Sequence, residues 1–571
     1  MADGAVNAFF YTPEEEITMS TLTQSGALGL QRRIDWTGAF WVASGVPALV
    51  LFSIGAIAAT VGKAAWVVWA ISIAFGFLQA FTYAEIAGLY PNKSGGASVY
   101  GAMAWLRYSK FIAPISVWCN WFAWSPVLAI GSGLASGYVL LALFPADAAI
   151  NTWQITLLDL GAIKTGLTLR INATFVLGAA ILLTVFGIQH GGILRSAKTQ
   201  KVLAIAALFP LMLVAVVPLI TGDVVSTQAL SNLLPVNPLA WDKGLAIDGP
   251  WDTAGWTLMA GGLFIAAWST YGFETAVCYT SEFKDPKNDT FKAIFFSGLL
   301  CIAVFVLVPL AFQGYFGLGN VVTQPVVGAD GAVTNAVYDG ILAPDIYSGM
   351  GVASAMARII GAGPVITNVL IAMMILALVL AIMTSMAGSS RTLYQASADG
   401  WLPRYLSKVN EHGAPTAAMW TDLGFNLILL MLSDYVFVLA ASNVGYIIFN
   451  FLNLNAGWIH RMDRSNWERP YKAAGWLLAV GALLAFVNAF LMGVGANVWG
   501  AGTLMTGLVV AAMVIPIFLY RHYVEDGGVF PPGTADDLHE SADIQNKAGV
   551  LPYVALVAGV VVVAFGYSLT T

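Results

Sequence analysis

The sequence predicts an all-α polytopic membrane protein of 12 to 13 transmembrane helices, built around two inverted sets of five with a broken first and sixth helix. Three observations predict it. Of 571 residues, 58% are hydrophobic and 10% charged, with a mean hydropathy of +0.77, whereas a soluble domain carries about 25% charged residues. Thirteen apolar runs are long enough to cross the hydrocarbon layer as helices, which takes about 20 residues each. Finally, 20 of the 25 Lys and Arg fall in the N-terminal tail and in alternate connections between those runs, the bias that marks a cytoplasmic face. The composition excludes a soluble enzyme. A net charge of -6 leaves no cationic surplus for a nucleic acid.

Residues 1–34 read as a cytoplasmic tail, because Glu14, Glu15 and Glu16 stand where a signal peptide needs a basic region. The first run, 36–60, carries Ser44-Gly45-Val46-Pro47 near its middle; proline removes a backbone donor there and glycine eases unwinding. Runs 64–89, 111–144, 171–188 and 202–220 complete the first set of five. The sixth run, 256–280, is interrupted by polar residues from Trp268 to Glu274. It is followed by 291–315, 364–387, 416–433 and 434–459, with only Ser433-Asp434 marking the turn between the last two. Strand-like alternation is absent from these runs, so helices satisfy the backbone. Two further runs, 475–494 and 501–520, and a thirteenth at 549–568 beyond the polar stretch from Asp536-Asp537 to Lys547, follow. The chain thus divides into the tail, a ten-helix core over 35–460, helices eleven and twelve over 461–521, and a linker with an extra helix over 522–571. Only Lys63, Lys164, Arg170, Lys243 and Arg358 fall on the face opposite the cytoplasmic one.

Among membrane functions, an enzyme would need an intramembrane constellation such as H-E-x-x-H, and a channel a repeated filter or a charged ring. Neither pattern is present, and His190, His412, His460, His522 and His539 lie at helix ends or in loops. Cys119, Cys278 and Cys301 sit in apolar surroundings without metal-ligand or disulfide spacing, and no cofactor is expected. Interrupted helices at matched positions of two inverted halves point instead to a midplane substrate site of a secondary transporter. Amides freed at such breaks can hold a carboxylate, and freed carbonyls can hold an ammonium or a cation.

Four segments carry a family resemblance. Glu85-Ile86-Ala87-Gly88-Leu89-Tyr90-Pro91 with Gly95-Gly96 and Tyr100 resembles the E-L-x-x-x-x-P…G-G…Y signature of the amino acid-polyamine-organocation superfamily. Ser390-Arg391-Thr392-Leu393-Tyr394, then Asp399-Gly400-Trp401-Leu402-Pro403 and Gly413-Ala414-Pro415, resemble its S-R-x-x-Y…D-G-x-L-P…G-x-P loop. Glu468-Arg469-Pro470-Tyr471-Lys472 is similar to its R-P-[FY]-K segment. The resemblance covers residues 35–520 and implies the leucine-transporter-like fold, with alternating access to an amino acid or amine.

It also implies a site. Ser44, Gly45 and Val46 align with the broken first helix that holds a substrate carboxylate, although Ala43 and Pro47 depart from the family's usual glycine and aromatic. Trp268, Ser269, Thr270, Gly272 and Glu274 resemble the sixth helix of arginine/agmatine and polyamine exchangers, in which the tryptophan packs on the substrate and the glutamate senses protons. Met383 replaces those exchangers' eighth-helix aromatic, so their substrates do not carry over. The structural alternatives are a core tryptophan and a glutamate that caps backbone amides. In the tenth run, Asn443, Tyr446, Asn450 and Asn453 share one helical stripe, which either lines the path or joins helices. Asn120 could reach the pocket from the third run.

Glu85 and Asp422 are expected to form gate or interface salt bridges, and Glu282 with Asp285-Pro286 a helix end. Leu380 and Ala381 occupy the places of the sodium-coupled relatives' hydroxyl pair, and Ala207 that of the lysine in proton-coupled ones. Thr384 and Ser385 could hold sodium only with a shifted register, which favours protons or exchange. The expected protein is a permease or exchanger of the plasma or bacterial inner membrane, with a small amino acid or amine and the lipid bilayer as its partners. Its alternatives are a polyamine or cationic amine exchanger and a non-transporting sensor on the same scaffold.

Overall fold

The computed structural model describes residues 30–145, 147–224, 233–236, 248–323, 326–327, 333–334, 337–538 and 544–570. Glu14 to Glu16, Lys243, His539 and part of the polar stretch before the thirteenth span lie outside the described residues. All thirteen apolar runs are helical. Among the described residues, ten helices are long and apolar enough to cross a membrane. The fourth and ninth spans, Ala173–Gln189 and Thr416–Leu430, are shorter apolar helices, and the sixth begins as Thr253–Thr270.

Burial orders the spans from centre to rim. The most apolar window of the first span, Trp36–Val61, is 100% buried and that of the tenth, Tyr435–Asp463, 83%; the thirteenth, Leu551–Ser568, is 22% buried and lies at the rim. The seventh span, Pro286–Phe316, packs along the second, Ala65–Gly88, and the eighth, Pro364–Ala398, along the third and fifth. Asp434 caps the tenth span by accepting from the Phe437 amide at 2.9 Å, which ends the near-continuous ninth and tenth runs in a sharp turn.

Both predicted breaks are present, in a tighter form than an unwound chain. The first span runs as helix Trp36–Ala43, a 3-10 turn Val46–Leu49 and helix Val50–Val61. The sixth changes after Thr270 into a 3-10 helix, Gly272–Glu282. Winding to i→i+3 bonds absorbs the missing Pro47 donor while keeping neighbouring amides paired, as in the Ala48 amide bonded to the Gly45 carbonyl at 3.2 Å. A third break was not expected: the third span divides into Ile112–Trp124 and Val127–Leu143 at Ser125-Pro126.

Strands also occur, outside the spans. Gln154–Asp159 pairs antiparallel with Thr168–Asn172, Gln154 opposite Asn172, in a hairpin between the third and fourth spans. Two smaller pairs follow the seventh span. Their Ile, Val and Thr content favours strands where no bilayer demands a helix.

Candidate functional site

The two broken helices meet at small residues. A Cβ on Gly272 would strike the Trp124 indole and come within 3.1 Å of Val46, so glycine permits the sixth span to touch both the first and the third. Gly45 similarly lies against Thr384 and the Leu380 carbonyl of the eighth span. Ser269 Oγ donates to the Leu49 carbonyl at 3.3 Å, joining the sixth span to the 3-10 turn of the first.

Around this junction stands an aromatic wall. Trp268 is fully buried, and its Nε1 donates to the Ala123 carbonyl at 2.8 Å. Its ring lies 6.4 Å from that of Trp124 at 28° and 5.8 Å from that of Phe52, centroid to centroid. Tyr446 stands edge-on to Trp124 at 5.8 Å and 6.0 Å from Tyr271.

Glu274 is the carboxylate at this wall, 1% exposed. Its Oε1 accepts from Trp124 Nε1 at 3.1 Å and from Asn120 Nδ2 at 3.4 Å. Asn120 is oriented by Thr392, whose hydroxyl donates to Asn120 Oδ1 at 3.1 Å. Glu274 Oε2 faces Gly96 and the Ala97 amide, and makes no well-formed hydrogen bond among the described residues. The buried Tyr446 hydroxyl also lacks a partner among them. An unmet carboxylate oxygen and an unmet hydroxyl in a buried site are costly unless a donor or a proton reaches them.

Some expected residues face elsewhere. Thr270 Oγ1 is taken by Ser72 of the second span at 2.7 Å and by the Ala266 carbonyl, so its side chain points away from the junction. Ser44 Oγ folds back onto the Trp41 carbonyl at 2.5 Å. Asn443 donates to the Phe264 carbonyl, Asn450 to Gln79 and Tyr83, and Asn453 to Ser116. Of the tenth-span stripe, only Tyr446 meets the aromatic wall; the asparagines join helices.

Thr384 Oγ1 donates to the Val42 carbonyl at 2.5 Å and lies 3.5 Å from Gln200 Oε1. The fifth-span residue at this point is therefore Gln200, not Ala207. Ser385 Oγ donates to the Trp124 carbonyl at 2.6 Å, tying the eighth span to the break in the third.

The acidic residues near the helix ends divide in two. Glu85 receives Arg461 at 2.6 Å, Arg469 at 3.1 Å and the Ala473 amide at 2.8 Å, an interface bridge between the second and tenth spans as expected. Glu282 is more than a helix end: it forms a bidentate ion pair with Arg391, both side chains 4% exposed or less. Arg33 and Ile34 amides donate to the Glu282 carbonyl, at 2.9 and 3.2 Å, closing the basic-rich face below the site. Asp285 does cap a helix, accepting from the Asn288 amide. Asp422 has no salt bridge among the described residues; Ser125, Ser389 and Trp121 donate to it at 2.5, 2.5 and 2.9 Å. Hydroxyl and indole donors within the bundle replace the cation expected there.

Sequence reasoning passed over Trp124 and Thr392 as site residues. The signal for Trp124 was present in Pro126, which fixes a break one residue beyond Ser125 and turns the Trp124 indole and carbonyl toward different neighbours.

Comparison with known proteins agrees with this architecture. An uncharacterized transporter of Legionella pneumophila is 24% identical over 386 residues, 67% of this chain and 69% of that protein. The chloroplastic cationic amino acid transporter 9 of Arabidopsis thaliana is 24% identical over 276 residues, 48% of this chain and 43% of that protein. The family model for amino acid permeases matches residues 34–515, from the start of the first span into the twelfth. The chain is thus a multi-pass membrane transporter that belongs to the amino acid permease family.

Proposed function

We propose that the protein is a secondary active transporter that moves an amino acid or related amine by alternating access, with its site between the breaks of the first and sixth spans. The observation that carries this reading is Glu274: a buried carboxylate beside an aromatic wall, with one oxygen held by Trp124 and Asn120 and the other unmet, while Tyr446 of the same wall also has an unmet hydroxyl. A protonated amine satisfies Glu274 and lies against the indole faces of the wall, where a desolvated cation gains about 2 kcal/mol. Ser44, Gly45 and Val46 receive the carboxylate end once the 3-10 turn loosens.

The Glu282–Arg391 pair and the Arg33 and Ile34 bonds close the basic-rich face, which the charge bias makes cytoplasmic in a plasma or bacterial inner membrane. Transport requires these contacts to part as those on the other face close. Proton coupling or exchange rests on Glu274. Sodium is a second reading, favoured by Thr384 meeting the Val42 carbonyl, since a hydroxyl and a carbonyl from the broken helix are both hard oxygen ligands. The name of the Arabidopsis relative supports a cationic amino acid as substrate.

A thermal-shift screen of amino acids, amines and amine-free carboxylates tests the reading. Stabilisation by amine-bearing ligands, lost in Glu274→Gln, is expected; equal stabilisation of the variant would remove Glu274 from the site. Tight binding without counterflow would instead identify a sensor. Uptake measured with and without sodium and across pH decides the coupling ion.

A further inference from the structure

The thirteenth span lies beyond the matched family region and packs on the eleventh, Gly475–Gly495, through small residues. Gly559 admits the Phe451 ring, Gly566 the Phe490 carbonyl, and Gly493 the Val563 carbonyl, contacts that a Cβ would block. Such small-residue packing is how helices associate in lipid, where no hydrophobic effect draws them together.

Docked in this way, the thirteenth span stands apart from the twelfth and leaves a groove of about 570 Å³ between them. Phe451 and Met492 form its floor, Met505 and Leu508 one wall, and Leu556 and Val560 the other. Water has too few polar partners there, and an empty groove would leave its lining without contacts. Polar groups gather at one end: Asn497 and Tyr567 line it, and just outside the lining Lys164 Nζ, which is ion-paired with Asp434, lies 3.3 Å from where a Gly500 Cβ would stand. Asn497 Oδ1 accepts from the Leu504 amide at 3.2 Å, while its Nδ2 makes no hydrogen bond among the described residues.

We propose that this groove is a phospholipid site, in which one acyl chain lies between Leu508 and Val560, the ester groups meet Asn497 Nδ2, and the phosphate lies beside the Lys164 ammonium, which it shares with Asp434. The walls belong to membrane-spanning helices, so the surrounding medium is hydrocarbon. The groove runs along the helices as a lipid tail does, and its polar donors are confined to one end, as a lipid's polar groups are. Because lipid solvates both the free and the occupied groove, retention comes from packing and from the donors at the rim.

The full-length protein, reconstituted in phospholipid vesicles doped with a phosphatidylcholine bearing a diazirine on its acyl chain, is irradiated and its adducts are mapped. Adducts are expected to concentrate on residues 505–508 and 556–564, and to fall roughly tenfold in Leu508→Trp and Val560→Phe, which fill the groove from opposite walls. Labelling at Val176 and Leu183 of the fourth span should stay unchanged. Asn497→Leu should lower groove labelling without filling it. Adducts spread evenly over exposed apolar residues, or labelling that survives both filling variants, would overturn the proposal. So would groove labelling by a diazirine sterol at the same yield, or cross-links between two copies through residues 505–508. Should a filling variant fail to fold, the adduct map of the unsubstituted protein decides alone.

Discussion

Asp35 shows how a single side chain sets the entry of the chain into the membrane. It caps the first span, accepting from the Gly38 amide at 3.0 Å. The Thr37 hydroxyl first and the Gly38 amide second hold its carboxyl below the ordinary value. A depressed carboxyl contributes stability above its unfolded pKa and loses it as pH falls through the folded value. Asp35→Ala should therefore cost about 1 kcal/mol at neutral pH, a difference that shrinks in strongly acidic buffer when melting is followed in detergent. Glu282 is the heavier case. Glu282→Gln leaves Arg391 buried without its counter-charge and should cost roughly 3–5 kcal/mol, read as a loss of melting temperature. Substituting both partners with apolar residues should recover part of that loss, and no recovery would mean that the pair does more than balance charge. Asp422 makes the opposite prediction: Asp422→Asn retains an oxygen that accepts from Ser125 and Trp121, so it should fold and transport, whereas Asp422→Leu strands those donors and should be destabilised.

At the scale of elements, the spans were legible because a bilayer allows only one solution for a long apolar run. The 3-10 winding of Gly272–Glu282 was not, since Gly, Pro and polar residues signal a break without saying how the backbone re-pairs. Pairings such as Glu282 with Arg391 and Asp422 with Ser125 lie 109 and 297 residues apart, and one sequence carries no trace of which distant helix faces which. Glu274 and Trp268 were visible through a local motif; Trp124, Thr392 and Tyr271 entered only through the packing of the third, eighth and tenth spans around them. The breaks yield an element-level prediction. Gly272→Leu must displace Trp124 and Val46, and overpacking of this kind costs about 1–3 kcal/mol, so substrate affinity should fall much further than the melting temperature. Equal affinity in that variant would mean that the junction of the two broken spans is not where substrate binds.

For the whole molecule, the low charge content acquires a position. Most Lys and Arg lie on one face, where ion pairs and backbone bonds close the bundle, while Glu274 and Asp422 remain in the interior without salt bridges among the described residues. The two differ in one respect. Both oxygens of Asp422 are occupied by neutral donors, whereas one oxygen of Glu274 is unmet among the described residues. Under the proposed function, Glu274 is therefore the interior charge that would receive a substrate or proton, at the meeting of the two broken spans.

The most direct test is counterflow of radiolabelled amino acids and amines into proteoliposomes loaded with the same solute, comparing the unsubstituted protein with Trp268→Ala and Gly45→Leu at matched expression and folding. Saturable uptake is expected that weakens roughly thirtyfold in apparent affinity without the indole, as for a loss of about 2 kcal/mol, and that vanishes with Gly45→Leu. Uptake unaltered in both variants would contradict a site between the first and sixth spans.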